Sequence, residues 1–238
     1  MTRRRWIADE VRGERALLTG EHALHLSRVL RAEVGQEFDI SAGNLVRRGT
    51  IVAISAERVE FALGEEVPAG LSTRELTLVL AVFKFDRMEW AIEKCTEIGV
   101  ARIVPLIARR TDSHLASTAV KRQERWVRLA RQAAEQSRRA AAPYVSSPIK
   151  FKELAEVCAA DMNRVVLSES ESDTRFRDVL PASAVDTVLA IGPEGGWSDE
   201  EFRWFRESGW VSASLGNNIL RAETAAIVAC ALALDTLR

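Results

Sequence analysis

Two short stretches place reactive residue types beside glycine turns. The first, "IGPEGGWSDEEF", spans residues 191–202. An apolar run stops at Gly192-Pro193, because proline has no N–H to donate to a sheet ladder. Glu194 follows, then Gly195 and Gly196, which leave the backbone bare and accept positive φ. Ser198 with Glu201 three residues later forms a capping box, and Asp199, Glu200 and Glu201 load the first helical turn with acid. The second stretch, "SLGNNILRAETAAI" (residues 214–227), again reads as strand, glycine, polar corner and helix. Arg221 stands at that helix start, where the macrodipole disfavours a cation by about 0.3–1 kcal/mol. A carboxylate, Glu194 or Glu223, or an anionic substrate would compensate for it, although taken alone a surface arginine solvated at low cost is the simpler reading.

A strand, a glycine turn and a helix form the usual nucleotide site of doubly wound folds. A dinucleotide would lay its pyrophosphate on that helix N-terminus. The acids here repel it, and the G-x-G-x-x-G spacing is absent. A nicotinamide-dependent enzyme is therefore disfavoured, and a cationic or neutral ligand fits better. Short motifs of this kind also occur in plain connecting loops, so the spacing alone leaves that alternative open.

The elements that must position these stretches differ between the two parts of the chain. Residues 1–70 are β-rich, with a helix at "GEHALHLSRVLRA" (residues 20–32) and strand breaks at Gly43-Asn44 and near Glu57. The polar segment 64–75, with Gly and Pro, marks the domain boundary, giving domains 1–70 and 71–238. Beyond it, apolar strands at 76–83, 102–107, 164–169, 187–192 and 210–216 alternate with helices at 86–99, 117–141, 151–160, 198–208 and 222–237. This alternation predicts an α/β domain with a parallel sheet covered on both faces.

Composition bounds the remaining possibilities. The 238 residues are 47% apolar and 28% charged, as in a globular protein. The longest apolar run, residues 225–234, is half the roughly 20 residues of a membrane span. No apolar stretch follows "MTRRRW", so no export signal is read. Cys95, Cys158 and Cys230 are scattered and read as reduced cytoplasmic thiols, Cys158 and Cys230 in apolar core contexts. His22 and His25 share a helix face without further ligands nearby, so no metal is expected. Net charge is −1, yet residues 102–139 carry ten Lys and Arg against Asp112, Glu124 and Glu135. On the helix there, Trp126, Leu129, Ala130 and Ala133 form an apolar face, and Arg125, Arg128 and Arg131 lie largely off it. So uneven a stretch favours an RNA-facing surface over an ordinary solvated face. Arg28, Arg31, Arg125, Arg128 and Arg139 are the RNA-binding candidates.

The two glycine turns together resemble the ribosomal RNA small-subunit methyltransferase E family, S-adenosylmethionine-dependent enzymes of the SPOUT superfamily that methylate N3 of a uridine in 16S rRNA. The resemblance covers nearly the whole chain. "HLSRVLRAEVGQ" is similar to the family's N-terminal motif. "KFDRMEWAIEKCTEIGVARIVPL" has Lys84, Met88, Lys94, Glu97, Gly99 and Pro105 in register, and "AAEQSRRAAAP" matches through Glu135, Gln136, Ser137, Arg139 and Pro143. Phe85 and Arg138 stand where glycine is usual, Trp197 where phenylalanine is usual, and Asn218 where arginine is usual. The resemblance implies a SPOUT-type C-terminal domain with a deep trefoil knot, a small N-terminal PUA-like β-barrel for RNA, and a homodimer acting in the cytoplasm on small-subunit rRNA or the 30S particle. It places the cofactor among Leu167, Glu169, Gly192, Gly195, Gly196, Leu215, Gly216, Ile219 and Leu220. Glu194 is then the candidate base and Arg221 the group that stabilises developing negative charge. The alternatives are a SPOUT enzyme acting on another RNA nucleotide and a non-catalytic ribosome assembly factor.

Overall fold

The computed structural model describes residues 5–42, 45–68, 75–158, 161–180 and 185–236. The expected break at Gly43-Asn44 and the junction at 70/71 lie outside them. The chain divides into two compact units, Met1–Leu71 with Ala134–Ala142, and Ser72–Ala133 with Pro143–Arg238.

The first unit holds β1 (Arg5–Ile7), β2 (Glu10–Arg12), β3 (Arg15–Thr19), α1 (Gly20–Leu24), β4 (Glu37–Ala42), β5 (Leu45–Ile54) and β6 (Arg58–Glu66). Its six-stranded sheet runs β1-β4-β5-β6-β3-β2, antiparallel except for the β1–β4 pair. Strand residues alternate inward, so Leu18, Ile40, Ile51, Val59 and Phe61 are buried together with Leu26 of the helical turn. The single helix expected over residues 20–32 is instead α1 followed by one π-turn, His25–Val29. Arg31 then takes φ +49°, which no helix continues through.

The second unit holds β7 (Leu76–Ala81), α2 (Phe85–Ile98), β8 (Arg102–Ile107), α3 (Ser113–Thr118), α4 (Gln123–Gln136, whose last residues belong to the first unit), β9 (Tyr144–Val145), β10 (Ile149–Lys150), β11 (Asn163–Leu167), β12 (Thr187–Ile191), α5 (Asp199–Glu207), β13 (Val211–Ala213) and α6 (Ala222–Thr236). Every recorded strand pair is parallel, in the order β10-β8-β7-β12-β11-β13, with β9 on β8. Side-chain alternation on β7 serves two cores. Leu76, Leu78 and Leu80 pack with α2, α4 and α6 through Met88, Ile92, Trp126 and Cys230. Val79 and Ala81 pack on the other face with Leu154, Trp197, Phe205 and Trp210. This is the doubly covered α/β sheet that the apolar strands predict.

The long helix expected over residues 117–141 is broken into α3, a 3-10 turn (Ala119–Arg122) and α4, and it ends at Gln136. The expected helix at 151–160 is likewise a 3-10 helix, Phe151–Val157. Two helix ends share one geometry. At the end of α2 the Val100 N–H donates to the Cys95 carbonyl and the Gly99 N–H to that of Thr96. At the end of α4 the Arg139 N–H donates to the Ala134 carbonyl and the Arg138 N–H to that of Glu135. Both are Schellman stops, which need a left-handed residue. Gly99 supplies it at no steric cost, whereas Arg138 adopts φ +59° with a full side chain. The stop carries residues 134–142 into the first unit, where His22 Nε2 lies 3.2 Å from Glu135 and Arg5 donates to the Arg138 carbonyl. Because the recorded contacts of Arg138 are made by its backbone N–H and carbonyl, which glycine keeps, Arg138→Gly is expected to stabilise the protein by about 1 kcal/mol, measured by equilibrium urea denaturation.

Candidate functional site

Register brings the two sequence stretches together. Val166 of β11 lies opposite Ala190 of β12, and Leu167 opposite Ala213 of β13. The three strands therefore leave the sheet at one level, and their loops close around a cavity of ≈ 590 Å3. Leu167, Glu169, Gly192, Gly196, Leu215, Gly216, Ile219 and Leu220 line it, as do Glu194 and Arg221. Gly195 is not on the wall; its carbonyl accepts from Arg110 Nη1 at 2.9 Å.

Each turn is held by identifiable contacts. The indole N–H of buried Trp197 donates to the Leu167 carbonyl at 3.1 Å, tying the β12 loop to the end of β11. A phenylalanine has no such donor. The ring passes so close to Gly192 that a Cβ there would sit 3.1 Å from Nε1. Gly196 has φ +69°, and its N–H closes a turn on the Pro193 carbonyl at 2.8 Å. A Cβ at Gly196 would lie 3.3 Å from Glu169 Oε1. Behind the turn, buried Glu201 caps α5. It accepts from the Ser198 N–H (2.7 Å), the Ser198 hydroxyl (2.9 Å) and, across to the loop after β8, the Arg109 N–H (2.8 Å). Arg109 also pairs with Glu200. The acid of the first turn is thus divided between capping and pinning the neighbouring loop.

Of the partners open to Arg221, the two carboxylates are engaged elsewhere. That residue is exposed on the cavity wall at the start of α6, and its carbonyl accepts from the Ala225 N–H. Among the described residues no carboxylate forms an ion pair with it. Glu194 and Glu223 instead face Arg87, from the first turn of α2. Arg87 Nη1 lies 3.1 Å from Glu194 Oε1, and Arg87 Nε lies 3.8 Å from Glu223 Oε1. Arg87 and Arg110, both on the wall, escaped the sequence reading. They belong to other strand–helix units, and no local pattern distinguishes them from surface arginines.

The basic candidates lie in both units. Arg28, in the π-turn, and Arg31, just after it, are exposed in the first. Arg139, also in the first, is half-buried, and desolvation draws its guanidinium down to about 10. In the second unit, Arg125 and Arg128 are exposed on α4, and Arg125 makes a two-pronged contact with Glu89 at 2.7 and 2.8 Å. Trp126, Ala130 and Ala133 of α4 are buried. Of the cysteines, Cys95 and Cys230 are buried and Cys158 is half-buried.

A family model described as an RNA methyltransferase domain matches residues 71–234. The ribosomal RNA small subunit methyltransferase E of Synechocystis sp. is 33% identical over 223 residues, covering 90% of this chain and 71% of that protein. A structure from Legionella pneumophila, described as a methyltransferase in complex with bound SAM, superposes with a TM-score of 0.86 at 30% identity, over 99% and 98% of the two chains. The ribosomal RNA small subunit methyltransferase E of Neisseria gonorrhoeae shares the fold, with a TM-score of 0.84 at 24% identity over 97% and 96%.

Glu201 is the fastening of this site. Glu201→Ala leaves buried donors without an acceptor and is expected to destabilise the protein by about 2–3 kcal/mol, read as an earlier midpoint in urea denaturation. Asp199→Ala, whose residue is exposed, serves as the control and should move the midpoint little.

Proposed function

The chain belongs to the ribosomal RNA small-subunit methyltransferase E family, and on that premise we propose that it transfers a methyl group from S-adenosylmethionine to N3 of a uridine in 16S rRNA. The observation that carries this reading is the cavity itself. Its walls combine Glu169, Glu194 and Asp199 with exposed glycine backbone, and the helix start behind it repels phosphate. A sulfonium ligand without phosphate suits such walls. The lack of a Cβ at Gly196 leaves room beside Glu169.

When bound, S-adenosylmethionine supplies an electrophilic methyl on a positively charged sulfur. N3 of uracil carries a proton at neutral pH, so the protein must accept it as the N–C bond forms and the C–S bond breaks. Glu194, exposed on the cavity wall, is the base in this reading. Arg221, without a carboxylate partner among the described residues, faces the negative charge that develops on the uracil. Leu167, Leu215, Ile219 and Leu220 supply apolar walls, Glu169, Gly192, Gly196 and Gly216 supply carboxylate and backbone to the cofactor, and Gly195, off the wall, shapes the turn through its bond to Arg110. An assembly factor without catalysis would have no need of this constellation.

The same reading includes a trefoil knot in a SPOUT domain from residue 71 onward, supported by β12 lying between β7 and β11 and by α6 packing on α2 and β7. It includes a PUA-like RNA-binding barrel over residues 1–70, supported by the six-stranded sheet. It includes a homodimer. α6 is apolar nearly all round, and Val228 and Ala231 lie exposed on it, whereas such helices are normally covered. Arg28, Arg31, Arg125, Arg128 and Arg139 contact the RNA, and the enzyme works in the cytoplasm where its substrate is made. No helix among the described residues is long and apolar enough to cross a membrane.

The direct test incubates the purified protein with S-adenosylmethionine and small-subunit RNA from a strain lacking the modification, then digests the RNA for mass spectrometry. N3-methyluridine at one position is expected; a methyl on another base or atom would overturn the assignment. Gly196→Val should abolish cofactor binding in calorimetry while the circular dichroism spectrum is retained. Unchanged affinity would place the cofactor elsewhere. Arg221→Ala should lower the single-turnover rate by roughly 10²–10³, with cofactor affinity little changed. Arg221→Lys should rescue only in part, since an ammonium lacks the planar fork.

A further inference from the structure

Two opposite charges reach the bare face of Gly196 without pairing with each other. The empty Cβ position of that glycine lies 3.3 Å from Glu169 Oε1 and 3.9 Å from Arg110 Nη1. Both residues stand on the cavity wall and are exposed. Arg110 donates to the Gly195 carbonyl, and its stem lies along Gly195, where a Cβ would sit 3.5 Å from Arg110 Cβ and 3.7 Å from its Cδ. No other polar contact of its side chain is made among the described residues, so most of its N–H donors stay free. The Glu169 carboxylate has no hydrogen bond or ion pair among the described residues. The arginine is also held from behind. The Thr111 N–H closes a turn on the Ala108 carbonyl at 3.1 Å, the Thr111 hydroxyl accepts from the Ala108 N–H at 3.1 Å, and Glu201 accepts from the Arg109 N–H.

We propose that Arg110 and Glu169 form a zwitterion subsite for the amino-acid end of S-adenosylmethionine, the guanidinium taking its α-carboxylate and the carboxylate its α-ammonium. This rests on that molecule being the cofactor. Two opposite charges so near one point, and not paired with each other, leave room for one small dipolar group between them. A guanidinium fork suits a carboxylate, and a carboxylate accepts charge-assisted hydrogen bonds from an ammonium. An RNA phosphate on Arg110 would lie beside Glu169 and share the wall with Asp199, and both repel it. The zwitterion meets attraction at each end. Arg87, also on the wall, is already engaged by Glu194 and Glu223. Gly196 serves the same subsite, since a side chain there would fill the space over which the two charges act.

The test compares three ligands by calorimetry on the full chain. Decarboxylated S-adenosylmethionine keeps the sulfonium and the ammonium but lacks the carboxylate, and methylthioadenosine lacks the whole amino-acid end. The unsubstituted protein should prefer S-adenosylmethionine to its decarboxylated form by roughly 10–100-fold, the size of a hydrogen-bonded charge contact. Arg110→Gln should abolish that preference by weakening S-adenosylmethionine alone, and Arg110→Lys should restore it in part. Glu169→Gln should weaken S-adenosylmethionine and its decarboxylated form by roughly 10-fold and spare methylthioadenosine. Retained binding of methylthioadenosine shows that the cavity of each variant is folded. An Arg110→Gln variant that weakens all three ligands alike makes Arg110 a support of the turn and overturns the proposal. Equal affinity of the unsubstituted protein for S-adenosylmethionine and its decarboxylated form overturns it too, as does a preference removed by Arg221→Ala and kept in Arg110→Gln. Arg110→Gln weakening RNA binding alone assigns the guanidinium to phosphate instead. An unsubstituted protein that binds none of the three overturns the cofactor reading, and the proposal with it.

Discussion

Val166 opposite Ala190, and Leu167 opposite Ala213, set the level at which β11, β12 and β13 leave the sheet. The three loops that form most of the cavity wall hang on that pairing. Side chains alternate along a strand, so a slip of one residue would exchange the side chains packed in the two cores. The buried faces of β7 and β12 make such a slip prohibitive. The loops inherit this rigidity. Their positions are then refined by two buried donors and acceptors, the Trp197 indole on the Leu167 carbonyl and the Glu201 carboxylate between Ser198 and Arg109. A site on loops acquires precision when its loops are tied to each other as well as to their strands.

Charge is distributed over this frame with a consistent logic. The acid at the start of α5 suits the helix dipole, caps the helix and fixes the loop after β8. It also denies the helix N-terminus to phosphate, the ligand such termini usually attract. What remains on the cavity wall is carboxylate, bare backbone and three arginines in different states of engagement. Arg87 is paired with carboxylates, Arg110 is bonded to a carbonyl, and Arg221 has neither kind of partner among the described residues. Family membership gives that arrangement its meaning, because methyl transfer from a sulfonium to a base nitrogen requires tolerance of positive charge on one side and removal of a proton on the other.

Departures from the sequence expectations have local causes. Residues 117–141 were expected to form one continuous helix. Arg138 stops it, in a left-handed conformation that an arginine adopts only when its surroundings compensate. The Schellman hydrogen bonds and the contacts of residues 134–142 within the first unit supply the compensation. The helix expected at residues 20–32 widens after α1 into a π-turn, with Leu26 in the core of the six-stranded sheet and Arg28 in solvent.

Much of this protein is legible without coordinates. Strand runs such as "LTLVLA" and "TVLAI", the capping box at Ser198 and Glu201, the glycine at φ +69° and the stop at Gly99 depend on neighbours within a few residues, and residue type and spacing report such interactions directly. The two glycine turns that build most of the cavity belong to this class. Arg87 and Arg110 do not. Arg87 meets Glu194 across 107 positions of chain, and Arg110 meets Gly195 across 85. Nor could Arg221 be known to lack a carboxylate, since either Glu194 or Glu223 satisfies the dipole argument equally well. Local patterns determine which segments become strands, turns and helices. Which charges face each other is decided only when the sheet order folds distant loops to one edge, because Coulomb energy depends on separation in space and carries no signature in sequence separation.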